Sequence, residues 1–237
     1  MYVEQFRYSA DNLGYLVYSD KEGTAAEGIA IDGGDASGII EFARKSDIRI
    51  KYVTNTHFHP DHVTGNQTLL DETGADFFDC RTVTDDRTID LGGEKLLVFP
   101  TPGHTMDSVT FAGDGFLVTG DTLFNGTVGN CFSGDLGAFF NSLKRIMTWP
   151  PETLIFAGHD YVDESMKYAS IIEKNNPEID VFLERYNPDR VVSTLDDELK
   201  VNPYIRFNAP EMIRILKERD VWSDSEQARF EAVMELY

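Results

Sequence analysis

The sequence is poor in cysteine and in basic residues. Two cysteines among 237 residues, Cys80 and Cys131, are too few for a disulfide framework or a four-thiolate zinc site. We expect both to be small hydrophobic residues of the core. There are 21 lysines and arginines against 41 aspartates and glutamates, a formal net charge of −20. Because such a field repels phosphate backbones and anionic membrane surfaces, we expect neither nucleic acid nor a membrane as a partner.

Long apolar runs are also missing. The longest, such as residues 96–99, have the length of a strand and not of a membrane span. The first twelve residues include Glu4, Arg7 and Asp11 and contain no apolar segment of the kind found in signal peptides. We therefore expect a cytoplasmic protein. The hydrophobic content of 41% is sufficient for a folded core.

The first two thirds of the chain alternate between predicted strands and helices. Apolar residues between Leu136 and Met147 recur at helical spacing, and Trp149-Pro150-Pro151 ends that helix. Short apolar or alternating segments predict strands at residues 15–18, 28–31, 48–53, 96–99, 116–118 and 154–156.

The last third has a different pattern, which is helical throughout. A Ser223-x-x-Glu226 sequence predicts a capping box at the start of the last helix. We expect a boundary near residue 162, with an α/β domain at 1–161 and a helical region at 162–237. Apolar residues at helical spacing predict two of these helices. One apolar face consists of Met166, Ala169 and Ile172, and the other of Phe230, Val233, Met234 and Tyr237.

The five histidines are concentrated in three short motifs. His57, His59 and His62 lie in THFHPDH, His104 lies in TPGHT, and His159 lies in GHDY. A chain that contains so few histidines and clusters them so closely is expected to use them for chemistry. Taken singly, each has a plain alternative, such as a surface histidine in a strand or a residue in the first turn of a helix.

Potential metal ligands follow four of the predicted strands. They are His57, His104, Asp121 and His159. Loops at strand ends are where α/β folds build their sites, so these side chains are expected to converge if the strand ends share one edge. As isolated residues, Asp61 would be a helix N-terminal charge and Asp121 a turn residue.

The spacing within THFHPDH predicts two ions. Alternate residues of an extended loop point the same way, so His57 and His59 can hold one ion. Pro60 can begin a helix, which would turn Asp61 and His62 toward a second ion. The two sets are completed by His104 for the first ion, His159 for the second and Asp121 between them. Imidazole and carboxylate ligands suit divalent transition metals, with Zn²⁺ expected and iron or manganese as alternatives.

Two such ions predict hydrolysis. A water shared by two metal ions has its pKa lowered toward about 7, and one ion can polarise a carbonyl oxygen while the hydroxide attacks. Asp61 or Asp121 can orient that water and accept its proton. The chemistry would suit an ester or thioester, whereas the net charge disfavours nucleic acid as the phosphoester substrate.

The four motifs THFHPDH, TPGHT, TGDTLF and GHDY resemble, in order and spacing, those of the metallo-β-lactamase superfamily. The resemblance implies a four-layer αβ/βα sandwich, an α/β fold, with a C-terminal helical extension. It also implies His57, His59 and His104 on one metal, with Asp61, His62 and His159 on the other and Asp121 bridging.

A second resemblance concerns the C-terminal part. The segments GHDYVDESMKYASIIEKNNPEI and STLDDELKVNPYIR are similar to the helical region of hydroxyacylglutathione hydrolases, the glyoxalase II family. With the metal motifs, the resemblance covers about residues 55–206. It implies hydrolysis of a small 2-hydroxyacyl thioester such as S-lactoylglutathione.

The resemblance also implies contacts to the thiol carrier, and the chain departs from some of them. Tyr161 and Arg206 match family residues that contact the carrier. Asn130 and Phe132 stand where the family has a lysine and a tyrosine. An anionic carrier would therefore meet fewer cations here than in the family.

Two other functions stay open at this point. One is the mononuclear-iron persulfide dioxygenase of the same superfamily, which would use only His57, His104 and Asp121; metal content and oxygen uptake distinguish it. The other is a non-catalytic metal-binding module, whose function would survive an Asp61→Asn substitution.

Overall fold

The chain forms two sheets that face each other. A computed structural model describes residues 1–20, 26–221 and 223–236. The first sheet consists of β1 (Tyr2–Tyr8), β2 (Asn12–Tyr18), β3 (Ala26–Ile31), β4 (Ile48–Thr54) and β5 (Asp76–Phe77), side by side in that order. The second consists, also in spatial order, of β6 (Arg87–Leu91), β7 (Glu94–Pro100), β8 (Val109–Gly113), β9 (Phe116–Gly120), β10 (Leu154–Ala157) and β11 (Ser193–Thr194).

Eight helices cover the sheets in the described part of the chain. None of them is long and apolar enough to cross a membrane. They are α1 (Ala36–Lys45), α2 (Asn66–Thr73), α3 (Leu136–Ile146), α4 (Val162–Ile172), α5 (Glu178–Arg185), α6 (Leu195–Val201), α7 (Pro210–Glu218) and α8 (Glu226–Leu236).

Apolar clusters on both faces of each sheet arrange these elements in four layers. Tyr15 of β2 and Phe111 of β8 belong to the core between the two sheets. Leu16, the next residue of β2, points to the other face and packs with Ile39 of α1. Phe139 of α3 packs with Phe99 and other residues on the outer face of the second sheet. The predicted four-layer αβ/βα sandwich is confirmed.

The C-terminal helices share their core with the sheets. Met166 of α4 and Phe182 of α5 belong to the cluster between the sheets, and Phe230 of α8 contacts Phe139 of α3. The change to helical structure occurs at Val162, where α4 begins. The division into domains at residue 162 stays a prediction.

Helix ends agree only in part with expectation. The helix over residues 136–146 is confirmed, but the capping box predicted at Ser223 is wrong. Helix α8 begins at Glu226, and it is the Ser225 hydroxyl that accepts a hydrogen bond from the Ala228 amide. The capping box found lies at Thr194 and Asp197, before α6. The predicted face of α8 is buried at Phe230 and Val233, while Tyr237 lies outside the described residues.

Both cysteines are free. Cys80 is buried, as predicted for a small hydrophobic residue of the core. Cys131 is half-buried and packs against the apolar cluster on the outer face of the second sheet, so the prediction is confirmed only in part for that residue.

Candidate metal centre

The predicted ligands meet at one edge of the sandwich. His57 follows β4 of the first sheet, while His104, Asp121 and His159 follow β7, β9 and β10 of the second. The strands are held in place by the apolar clusters on both faces of each sheet. The loops that follow the strands therefore start from fixed positions. The expectation that strand ends bring these side chains together is confirmed by their distances.

The loop after β4 turns without forming a helix. We expected a helix from Pro60, and this is wrong: His62 N–H donates to the carbonyl of His59, and α2 begins only at Asn66. Residues 60–65 form turns and bends. The turn still leaves Asp61 and His62 with His159 in a second group of ligand atoms, although the rings of His57 and His62 remain in contact, with centroids 4.2 Å apart.

The first group of ligand atoms consists of His57, His59, His104 and Asp121, which lie within 4.8 Å of one another. His57 Nε2 is 2.9 Å from His59 Nδ1, and His104 Nε2 is 3.0 Å from the same atom. Asp121 Oδ2 lies 3.4 Å from His104 Nε2. The loop residues predicted to hold one ion are therefore in mutual contact.

The second group consists of Asp61, His62 and His159, also within 4.8 Å of one another. The Nε2 atoms of His62 and His159 are 3.2 Å apart. Asp61 Oδ2 lies 3.6 Å from the first of these nitrogens and 3.4 Å from the second.

Asp121 faces both groups. Its Oδ1 lies 3.5 Å from His62 Nε2, and its Oδ2 lies 3.6 Å from His159 Nε2 in addition to its contact with His104. The carboxylate is 7% exposed, and Oδ1 is buried without a hydrogen-bond partner. This is the position that a bridging ligand would take.

The hydrogen bonds around the imidazoles fit a cation better than an empty centre. Nδ1 of His159 donates to Asp11 Oδ1, and Nδ1 of His104 donates to the carbonyl of Asn130. Each ring then directs an Nε2 lone pair inward, toward another ring nitrogen or toward the Asp121 carboxylate. Lone pairs and carboxylate oxygens repel one another at these distances unless a cation lies between them. The described residues therefore fit divalent metal ions.

Burial favours the neutral form of two histidines of the first group. It lowers the pKa of His57 to about 4 and also lowers the pKa of His104, so both are neutral and able to bind metal at pH 7. Burial opposes ionisation of Asp121, but the nearby histidines outweigh it and hold the pKa of Asp121 well below its usual range. For His62, the Asp32 and Asp121 carboxylates outweigh burial and raise the pKa.

Carboxylates that the sequence did not single out support the ligands from behind. Asp32 accepts hydrogen bonds from the amide and hydroxyl of Thr56 and lies 3.1 Å from His62 Nδ1. The Thr56 hydroxyl in turn lies 3.1 Å from His57 Nδ1. Asp32 directly follows β3, so the strand-end criterion that found the ligands would have found it too.

The turn between β1 and β2 supports the second group. Asp11 contacts His159, and Asn12 Nδ2 donates to Asp61 Oδ2 at 2.9 Å. The Tyr8 hydroxyl donates to the carbonyl of Asp61. Since Asp11 and His159 are 148 residues apart, no local pattern indicated this contact.

Glycine is required where the backbone passes closest to the ligands. A Cβ at Gly158 would overlap Asp121 Oδ1 and lie 3.0 Å from His62 Cε1. A Cβ at Gly129 would overlap the carbonyl of Asp121 and lie 2.8 Å from His104 Nδ1. Both positions therefore exclude larger residues without any unusual backbone angle.

Three of the four predicted carrier contacts lie beside the centre. The Tyr161 ring stacks on His159, with centroids 5.0 Å apart and planes within 4°. Phe132, 67% exposed, lies against His59 and His104. Asn130 contacts His104 through its carbonyl.

Arg206 is placed differently. Its guanidinium binds Glu173, with Nε 2.9 Å from Oε2, and also donates to the carbonyl of Leu199. Its charge is therefore balanced within the protein, and its role as a carrier contact stays a prediction.

The chain was compared with known families and structures. Residues 26–78 and 76–159 match the model of the metallo-beta-lactamase superfamily, and residues 160–236 match that of the hydroxyacylglutathione hydrolase C-terminus. A hydroxyacylglutathione hydrolase of Maricaulis maris is 33% identical over 227 residues, 88% of this chain and 88% of the relative. One of Vibrio cholerae is 30% identical over 200 residues, 78% of this chain and 79% of the relative.

A solved structure shares the fold. The crystal structure of ETHE1 from Myxococcus xanthus aligns with a TM-score of 0.70 and 22% identity, and the alignment covers 99% of this chain and 90% of that one. Taken with the sequence matches over both parts, the chain belongs to the metallo-beta-lactamase superfamily and, within it, to the hydroxyacylglutathione hydrolase family.

Proposed function

We propose that the protein hydrolyses a small 2-hydroxyacyl thioester at a centre of two divalent transition metals. The observation that carries the proposal is the position of Asp121 between two groups of imidazole and carboxylate ligands. His57, His59, His104 and Asp121 would hold one ion. Asp61, His62 and His159, again with Asp121, would hold the other. The mixed nitrogen and oxygen ligands favour Zn²⁺, with iron or manganese as alternatives.

When bound, the metals would supply an activated water and a Lewis acid for the substrate carbonyl. The chain positions the groups around that water. The Asp61 carboxylate is held in place by a hydrogen bond from Asn12. The Asp61 side chain is also 47% exposed, so it is open to the side from which a substrate would approach. An oxygen of Asp61 can therefore orient the water and accept its proton.

A thioester suits the groups that surround the centre. The leaving group is a thiolate, whose conjugate acid has a pKa of about 8.5, so it departs without a general acid. An amine leaving group would need a proton donor. Burial and the Asp11 carboxylate raise the pKa of Tyr161 to about 12, so its hydroxyl stays protonated and can serve as a hydrogen-bond donor to the carrier. Phe132 offers the carrier an apolar surface beside His59 and His104.

The C-terminal region favours the hydrolase over the mononuclear dioxygenase, because residues 160–236 match the C-terminal model of hydroxyacylglutathione hydrolases. The second group of ligands does not separate the two functions, since the dioxygenases share the HxHxDH motif and the later histidine. A non-catalytic metal module is disfavoured because Asp61 and Phe132 leave the centre open on one side.

The test combines elemental analysis with a thioester panel. We expect close to two transition-metal ions per chain, and turnover of 2-hydroxyacyl esters of at least one low-molecular-weight thiol. One iron per chain with oxygen uptake on a persulfide would favour the dioxygenase instead. No turnover of any thioester by metal-replete protein would refute the proposal.

Two variants test one residue from each ligand group. His59→Ala is expected to lower metal content and activity together, because three ligand atoms of the first group meet at His59. Asp61→Asn is expected to lower kcat by at least about a hundredfold, the size of a lost general base. Asp86→Asn, an exposed carboxylate paired with Arg145, is the control that should leave both unchanged.

A further inference from the structure

A cleft of about 280 Å³ adjoins the metal centre. It shares Asn130 and Tyr161 with the centre and continues along α4 past Ser165 and Tyr168. Tyr161 stacks on His159, and the carbonyl of Asn130 is bonded to His104, so this end of the cleft is continuous with both ligand groups. A thioester whose carbonyl lies at the metals would therefore extend its thiol arm into this cleft.

The lining of the cleft carries no positive charge among the residues that the structure describes there. Glu164 is its one charged side chain, at the first turn of α4. The remaining polar side chains of the lining are neutral: the hydroxyls of Thr127, Tyr161, Ser165, Tyr168 and Tyr204 and the amide of Asn130. The cleft therefore offers hydrogen bonds to amides and hydroxyls, and no positive charge to balance a carboxylate.

The nearest expected cation is already paired. Arg206 and Glu173 form a bridge in which the carboxylate side chain is 1% exposed and the arginine 17% exposed. An anionic ligand would have to compete with a buried carboxylate for this guanidinium, and Arg206 is not among the residues that line the cleft. The net charge of −20 adds a repulsive field for any anion.

We propose that the cleft selects a thiol carrier whose arm lacks carboxylates and bears amide or hydroxyl groups, so that glutathione is a poor carrier. The proposal rests on the proposed thioester hydrolysis and specifies its substrate class. A carboxylate in the cleft would be desolvated beside Glu164 without a counter-charge, which is unfavourable, whereas a neutral amide or hydroxyl would find donors and acceptors.

The experiment uses one acyl group on three carriers. The metal-replete enzyme is assayed with the S-lactoyl esters of glutathione, of glutathione diethyl ester and of pantetheine. The diester keeps the glutathione skeleton without its two carboxylates, and pantetheine is a neutral chain of amides and hydroxyls. We expect kcat/KM to be at least about tenfold higher for the diester and for pantetheine than for glutathione, mainly through KM.

The results with the three esters distinguish failure of the carrier proposal from failure of the proposed thioester hydrolysis. If the glutathione ester is used as well as or better than the other two, the carrier proposal is overturned and the hydrolase stands. If none of the three is hydrolysed, the proposed function fails and the carrier proposal fails with it.

A charge variant gives an independent test. Asn130→Lys adds a cation at the mouth of the cleft and is expected to raise the ratio of kcat/KM for the glutathione ester to that for the pantetheine ester by about tenfold, less at high salt. Gln227→Lys adds the same charge on the exposed side of α8 and should leave the ratio unchanged. Equal ratios in both variants would overturn the assignment of the cleft.

Discussion

The imidazoles of His62 and His159 face each other, with Nε2 atoms 3.2 Å apart across 97 residues of sequence. Behind them, His159 Nδ1 binds Asp11, and Asp32 lies 3.1 Å from His62 Nδ1. Two rings held in this way at their outer nitrogens approach closely at their inner ones. The contact is favourable when a cation accepts both lone pairs, which links metal binding to stability.

Metal binding is therefore expected to raise thermal stability. An ion that binds the folded chain and not the unfolded chain raises the free energy of unfolding by about 2.7 kcal/mol when its free concentration is a hundred times its Kd. In a chain of this size, that corresponds to an increase in Tm of about 5 to 10 °C. The measurement is a thermal melt of chelator-treated protein with and without added Zn²⁺. A Tm that does not respond to Zn²⁺, manganese or iron would contradict the metal centre.

Replacement of Gly158 by alanine is expected to impair metal binding with little change in the rest of the fold. The new methyl group would overlap Asp121 Oδ1 and displace the carboxylate that faces both ligand groups. Metal content after dialysis should fall below half that of the parent protein. Gly137→Ala on α3, where a Cβ meets only side-chain ends at 3.2 Å or more, is the control and should retain full metal.

Removal of the Arg206 side chain is expected to destabilise the fold. The buried Glu173 carboxylate would lose its partner, which costs about 3 kcal/mol in comparable buried pairs. Arg214→Ala breaks an exposed pair with Glu211 and should cost less than about 1 kcal/mol. Urea unfolding of both variants gives the comparison. If Arg206→Ala raised KM and left stability unchanged, Arg206 would be a carrier contact instead.

Glu198 is expected to make stability fall between pH 5 and pH 7. Its carboxyl is fully buried, and burial raises its pKa to about 7 despite hydrogen bonds from Ser193, Asn202 and Gly126. An unfolded glutamate titrates near pH 4.3, so between these values the folded state binds more protons and loses stability as pH rises. The loss is on the order of 3 kcal/mol and is complete above about pH 7.

The predicted fall of stability with rising pH is tested by urea unfolding of two variants at several pH values. Glu198→Gln cannot ionise, so its stability should fall less than that of the parent between pH 5 and pH 8. Glu211→Gln, on the surface of α7, should follow the parent curve. Parallel curves for the parent and Glu198→Gln would contradict the raised pKa.

The ligands were predictable from sequence because each depends on local information. His57, His104, Asp121 and His159 are ligand residue types that lie one to four residues beyond the end of a strand, and strand ends place such residues at an edge wherever the sheet forms. The four-layer fold, in contrast, was implied by the resemblance of the four motifs to the metallo-β-lactamase superfamily, and the alternation of strands and helices alone indicated only a mixed α/β chain. The assignment of these residues to metal-binding roles stays a prediction that the geometry supports.

The rest depends on contacts that are distant in sequence. Asp11 supports His159 because the first hairpin packs beside β10, and Glu173 neutralises Arg206 because the end of α4 meets the loop after α6. Neither of these two contacts produces a recognisable pattern in the local sequence. Pro60 shows a different limit: its φ suits a helix start, yet the bond from His62 to His59 closes a turn there instead.

The hairpin turn at Asp11 and Asn12 makes the first dozen residues part of the metal centre. A shortened chain that starts after this turn would keep all seven ligands, yet His159 and Asp61 would lose the groups that orient them. Asp11 belongs to the hairpin of the first sheet, whereas His159 follows β10 of the second sheet. The ion-binding pocket is therefore complete only where the two sheets are packed together.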